Sequence, residues 1–121
     1  MKTLKRRADF LRARQGQQIR RSCFTMQVLS NDLSFARIGL TVTKKTGNAV
    51  VRNRIKRRLR AAAGELLPTL GRPGHDYVLI ARRRALTVPY QGLLDDLSAA
   101  LHDAATSGEA GPFRNERAAP N

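Results

Sequence analysis

The spacing of apolar residues changes along the chain, and each change predicts an element. Near the start, Leu4, Ala8 and Leu11 recur at helical intervals behind Thr3, a residue suited to capping, with Lys5, Arg6, Arg7, Arg12 and Arg14 around the remaining surface. Phe10 lies beside this stripe and not in its middle. After Gly16 the segment QQIRRSCFTMQVLS takes on β character, with Phe24, Met26 and Val28 on one face and Cys23, Thr25, Gln27 and Leu29 on the other. SNDLS is a turn signal. FARIGLTVT then alternates, Ala36, Ile38, Leu40 and Val42 inward and Arg37, Gly39, Thr41 and Thr43 outward, which predicts a sheet with one wet face.

Beyond the loop KKTGNA the period becomes helical. Val51, Ile55, Leu59, Ala62 and Leu66 form one stripe that ends at LPTLGRPG, where two prolines and two glycines forbid continuation. YVLIA is a short buried strand. Pro89 suits a helix N-terminus, and Leu93, Leu97, Leu101 and Ala104 share a face, with Asp95 and Asp96 early, where the helix dipole favours acids. From Ala105 onward periodicity is lost, so the chain divides into a domain of residues 1–104 and a flexible tail of residues 105–121. A length of 121 residues suits one domain with a modest core.

Charge changes the picture. The formal net charge is +14 and the pI near 11.6, which implies a polyanionic partner. Residues 1–60 hold 17 of the 23 Lys and Arg against only Asp9 and Asp32, so the binding surface belongs to the first half. Arg dominates over Lys, and the planar guanidinium both bridges phosphates and stacks on bases, which favours nucleic acid over a membrane. In the central helix Arg52, Lys56 and Arg60 follow at intervals of four, Arg54 and Arg58 form a second row, and no acid occurs between Asp32 and Glu65. Such like-charge pairs cost about 0.2–0.5 kcal/mol each in an isolated helix. A partner that removes the repulsion accounts for the pattern better than a merely solvated face.

Protein-based catalysis finds little support. His75 and His102 lack ligands at metal spacing, and adjacent Asp95 and Asp96 diverge on a helix, so neither a catalytic nor a metal-binding constellation is expected. The lone Cys23 excludes an intrachain disulfide. The basic start lacks the apolar run of a signal peptide and no stretch is long enough to span a bilayer, so a cytoplasmic protein is expected. KKTGN lacks a P-loop frame. It reads either as an ordinary strand-to-helix turn or as a phosphate approach, with Lys44 and Lys45, the permissive Gly47 and a helix N-terminus together.

The run GLTVTKKTGNAVVRNRIKRRLR closely resembles the signature of the bacterial ribonuclease P protein subunit, whose hallmark is here Arg52-Asn53-Arg54-Ile55-Lys56-Arg57. ADFLRA, RIGLTVTKK and DYVLIAR resemble that family's first helix, central strand and last strand in order. The resemblance implies an α/β (α+β) fold: a single two-layer αβββαβα domain with a left-handed βαβ crossover, shared with some ribosomal proteins. It also implies a protein partner of a catalytic RNA that removes the 5′ leader of precursor tRNA, with Mg²⁺ held mainly by the RNA and no catalytic residue in the protein. Neither a membrane nor a small-molecule substrate is implied.

Carried over residue by residue, Lys44, Lys45, Gly47, Asn48, Arg52, Asn53, Arg54, Lys56, Arg57 and Arg60 would face the catalytic RNA. Phe10 would line a cleft for the single-stranded leader. There the sequence departs from the better-known pattern, because Arg14 and Gln27 stand where other members have aromatics. Arg14 can still stack on a base and Gln27 can hydrogen-bond. Alternation adds Arg37 and Thr41 as further cleft contacts, while residue type alone leaves Phe10 open to a core role. A ribosomal-type RNA-binding protein and a self-sufficient metal-dependent nuclease are the competing functions.

Overall fold

The computed structural model describes residues 1–107. The elements are α1 (Arg7–Ala13), β1 (Gln17–Arg20), β2 (Phe24–Ser30), β3 (Arg37–Thr41), a single 3-10 turn (Lys44–Thr46), α2 (Ala49–Leu70), β4 (His75–Ala81), the short α3 (Arg84–Thr87) and α4 (Tyr90–Ser107). The mixed α/β order matches the expectation. α4 runs three residues past the expected domain boundary at 104, and the rest of the expected tail lies outside the described residues.

The four strands form one sheet in the order β1-β2-β4-β3. β1 and β2 are an antiparallel hairpin, β2 pairs antiparallel with β4, and β4 pairs parallel with β3. What reads as one β segment from Gln17 to Ser30 is thus two strands, folded back where the Arg21 N–H meets the Phe24 carbonyl at 2.8 Å. Cys23 sits in that turn, fully buried, and its carbonyl accepts from the Arg82 N–H at 2.9 Å. Between the parallel strands the chain crosses over through α2.

α2 and α4 cover one face of the sheet. Phe24, Met26, Ile38, Tyr77 and Leu79 from the sheet meet Ile55, Leu59, Leu93, Leu97 and Leu101 from the helices in the main core. Ile55 and Leu59 are fully buried, at about 1.5–3 kcal/mol each, which outweighs the three like-charge pairs of α2. Asn48 starts the helix, its side-chain oxygen accepting from the Val51 N–H at 3.0 Å. Pro68 lies within the last turn, and the helix stops at Gly71, whose N–H returns to the Leu67 carbonyl at 2.9 Å.

The N-terminus departs from expectation. Thr3 does not cap α1; residues 2–4 lie along the outer edge of β3, with the Ile38 N–H donating to the Lys2 carbonyl at 3.0 Å and the Leu4 N–H to the Ile38 carbonyl at 2.8 Å. Strand pairing satisfies four backbone groups and buries Leu4, more than a cap would secure. α1 then presents Phe10 and Ala13 to the sheet, while Ala8 and Leu11 are exposed. The sheet face expected to be wet is therefore half covered: Leu4, Ala13 and Val78 form a second, smaller core with Phe10 and Ile80 against it.

Candidate nucleic-acid interface

The cationic surface begins where β3 ends. Lys44 and Lys45 are exposed on the 3-10 turn, held by the Thr46 hydroxyl donating to the Thr43 carbonyl at 2.6 Å. Gly47 follows with φ +150°, a conformation open to glycine, and a Cβ there would lie 2.7 Å from Val51 Cγ1. Asn48, expected to face RNA, spends its side-chain oxygen on the helix cap. From α2, Asn53, Arg54, Arg57 and Arg60 are exposed and Arg52 and Lys56 half-buried. The ion pairs among the described residues join Arg12 and Arg37 to Asp9, Arg21 to Asp96, and Arg37 to Asp76. Among the described residues no carboxylate forms an ion pair with a cation of α2.

Arg58 belongs to a different set. Its Nη1 donates to the carbonyls of Ala85 and Leu86, both at 2.7 Å, and its Nη2 to the carbonyl of Val88. It therefore satisfies the exposed C-terminal carbonyls of α3 and ties that turn to α2, although the sequence row groups it with Arg54.

Of three further cations that sequence reasoning missed, Arg83 joins this surface. Arg82, Arg83 and Arg84 follow β4, and because β4 runs parallel to β3, the ends of both strands reach the same edge of the sheet. Arg83 Nη1 donates to the Thr46 carbonyl, clamping the two loops together. Three consecutive arginines just after a strand were visible in the text; that Arg83 reaches the turn carrying Lys44 and Lys45 was not.

On the opposite face α1 lies over a row of residues in register, Gln18, Gln27, Val78 and Gly39. Gly39 permits this: a Cβ there would approach Phe10 Cε1 to 2.7 Å. Gln27 is buried, and its Nε2 donates to Gln18 Oε1 at 3.2 Å, so it is floor beneath the helix and not an open contact. In the next row Arg20 is exposed and Thr25, Ile80 and Thr41 are half-buried, on the same sheet face as Phe10. With Phe10 and Arg14 of α1, this side of the molecule offers an aromatic ring, hydroxyls and two guanidinium groups.

Arg37 lies on the other side of the row beneath α1. Its Nε and Nη2 grip the buried Asp76 carboxylate at 2.9 and 2.8 Å, and its Nη1 lies 3.5 Å from Asp9 of α1. The bidentate pairing with Asp76 holds the guanidinium above its ordinary pKa. Arg37 is thus committed to fastening α1 onto the sheet. At the hairpin, burial pushes the Asp96 carboxyl up, but donors from Ser22, Cys23 and Arg21 outweigh that and hold it below the usual carboxylate value. Burial, with Asp96 nearby, raises the Cys23 thiol. Among the described residues no group of three or more His, Cys, Asp or Glu side chains is placed to hold a metal ion, and no helix is long and apolar enough to cross a membrane.

Residues 1–105 match the family model for ribonuclease P. The chain belongs to the ribonuclease P protein family. It is 48% identical over 102 residues to the ribonuclease P protein component of Ruegeria pomeroyi, covering 81% of this chain and 82% of that protein. With the component of Caulobacter vibrioides it is 44% identical, covering 94% and 78%. The fold resembles the Staphylococcus aureus RNase P protein with TM-score 0.74 at 29% identity, over 86% of this chain and 95% of that one. It resembles the Thermotoga maritima RNase P protein with TM-score 0.75 at 25% identity, over 85% and 97%. As a ribonuclease P protein component the chain is part of an endoribonuclease ribonucleoprotein that acts in tRNA processing.

Proposed function

We propose that this ribonuclease P protein binds the catalytic RNA through α2 and its flanking loops, and the 5′ leader of precursor tRNA through the cleft beside α1. It thereby assists Mg²⁺-dependent hydrolysis that frees the mature tRNA 5′ end. The observation that carries this reading is the cation set of α2, fixed to the core by Ile55 and Leu59 and without an ion-pair partner among the described residues. Lys44, Lys45, Arg52, Asn53, Arg54, Lys56, Arg57 and Arg60 face the catalytic RNA; Gly47 and Asn48 shape the turn that presents them. Phe10, Arg14 and Thr41 meet the single-stranded leader, stacking on and hydrogen-bonding its bases. Gln27 supports that cleft from below. The phosphodiester chemistry belongs to the RNA, which holds most of the Mg²⁺, and the assembly works in the cytoplasm.

Reconstitution tests this directly. Purified protein added to its cognate catalytic RNA at low Mg²⁺ should accelerate precursor-tRNA cleavage, and protein alone should not cleave. RNA binding without acceleration would indicate a ribosomal-type role. Cleavage by RNA-free protein would indicate a self-sufficient nuclease.

A further inference from the structure

α2 changes character along its length. All its lysines and arginines lie between Arg52 and Arg60; from Ala61 to Leu70 it carries none and exposes Pro68 and Leu70 instead. A groove of about 500 Å³ lies between this second half and the loop joining β2 to β3, walled by Phe35, Ala36, Leu67 and Pro68, with bare backbone at Gly64. A Cβ at Gly64 would meet nothing within 4 Å, so no packing inside the domain calls for glycine there, although glycine is less favourable than alanine within a helix. Pro68, four residues on, has no N–H, so the Gly64 carbonyl lacks its helical donor. No acid lines the groove. The Lys2 ammonium stands 5.5 Å from the centre of the Phe35 ring, and Arg72 lies between the lining residues Gly71 and Pro73. Neither cation forms an ion pair among the described residues. Glu65, next to Gly64, is taken by the Tyr90 hydroxyl of α4.

We propose that this groove docks an apolar segment of an acidic protein, on the half of α2 that carries no cation. An aromatic or leucine side chain of the partner lies over Gly64 against Phe35 and Leu67, and a backbone N–H of the partner donates to the Gly64 carbonyl. Flanking carboxylates pair with Lys2 and Arg72. Lys2 gives up the Phe35 ring as it does so, which opens the ring face to the incoming side chain. The net charge of +14 draws an anionic protein toward the chain and repels a second copy of it. RNA is the poorer occupant, because this half of α2 offers its phosphates no cation.

A random dodecapeptide library displayed on phage, selected against the full chain in the presence of its catalytic RNA, tests the groove. The selected peptides should carry an aromatic or leucine residue beside Asp or Glu. Synthesised with a fluorescent label, they should bind Gly64→Phe about tenfold more weakly, since that side chain fills the groove from a position where it meets nothing, and Lys2→Glu about threefold more weakly. Phe35→Ala, a change in an exposed loop, should weaken them independently. Precursor-tRNA cleavage by holoenzyme reconstituted with Gly64→Phe or Phe35→Ala should match that of the wild type; a loss would place the groove in the RNA-processing machinery and overturn the assignment. If selection yields no acidic apolar peptide, or if those it yields bind Gly64→Phe and Phe35→Ala as tightly as the wild type, the proposal falls. It falls equally if Gly64→Phe lowers affinity for an unstructured RNA pentanucleotide, or abolishes self-association seen by ultracentrifugation.

Discussion

Arg57 and Arg58 are adjacent in the basic run, yet their replacement by alanine should have opposite consequences. The Arg58 guanidinium donates to the carbonyls of Ala85, Leu86 and Val88 from a half-buried position. Hydrogen bonds from a charged group contribute about 1.5–3 kcal/mol each. The three share one guanidinium, and water can reach part of the turn once it is gone, so Arg58→Ala should cost about 3 kcal/mol rather than the full sum. At about 4 °C per kcal/mol for a domain of this size, Tm should fall by about 12 °C. Arg58→Lys should recover only part, since an ammonium cannot fork across three carbonyls. Arg57 is exposed and makes no ion pair among the described residues, so Arg57→Ala should change stability by no more than about 0.5 kcal/mol. It should instead lower the slope of catalytic-RNA affinity against salt by about one, the signature of one lost phosphate contact. Thermal melts followed by circular dichroism, with filter binding across salt concentrations, separate the two. If Arg58→Ala melts like the wild type and loses RNA affinity as Arg57→Ala does, the assignment of Arg58 to the fold is wrong.

Phe10→Ala should weaken holoenzyme binding of precursor tRNA by about 1–3 kcal/mol while leaving mature tRNA, which lacks a leader, nearly unaffected; equal losses for both would make Phe10 simply a core residue. Asp96 has a folded-state pKa held below its unfolded value, so its contribution is present above about pH 4 and is lost as pH falls through the depressed folded value. Asp96→Asn should therefore flatten the acid limb of a stability–pH curve below about pH 4. An unchanged limb would mean that its donors from Ser22, Cys23 and Arg21 contribute no net stability.

How far the text carried depended on whether a signal was local. α2 was legible because its apolar stripe and the closing prolines and glycines of LPTLGRPG lie within its own sequence, whereas the capping role of Asn48 was not read there. The face of α1 was not, because Leu4 leaves the helical stripe to pair with β3, a contact 34 residues away that rotates the helix onto Phe10 and Ala13. Alternation placed Arg37 and Gln27 on the outward face correctly, but burial there is decided by α1 lying across that face. Arg83 drew no notice because its relation to the turn carrying Lys44 and Lys45 exists only through the parallel β3–β4 register. The resemblance named the arginine-rich stretch; separating Arg58 from its neighbours took the carbonyls of α3.

The few acids explain how so basic a chain stays folded. Asp9 and Asp76 hold α1 to the sheet through Arg37, Asp96 holds the β1–β2 turn to α4 through Arg21, Ser22 and the Cys23 N–H, and Glu65 of α2 accepts from the Tyr90 hydroxyl of α4. That last contact pushes the Tyr90 phenol up to about 12. These carboxylates join elements and are thus unavailable to neutralise the surface of α2, whose repulsion is exposed to solvent. Salt acts unequally on the two: at about 0.1 M the screening length is about 10 Å, which weakens repulsion between exposed cations more than it weakens partly buried contacts. The free protein should accordingly gain stability as KCl rises from about 0.02 to 0.5 M, and Arg57→Ala should gain less because part of the repulsion is already gone. Thermal melts at the two concentrations decide it. A fall in Tm with salt would mean that exposed attractive pairs, and not the bare cations of α2, dominate the electrostatics of the free chain.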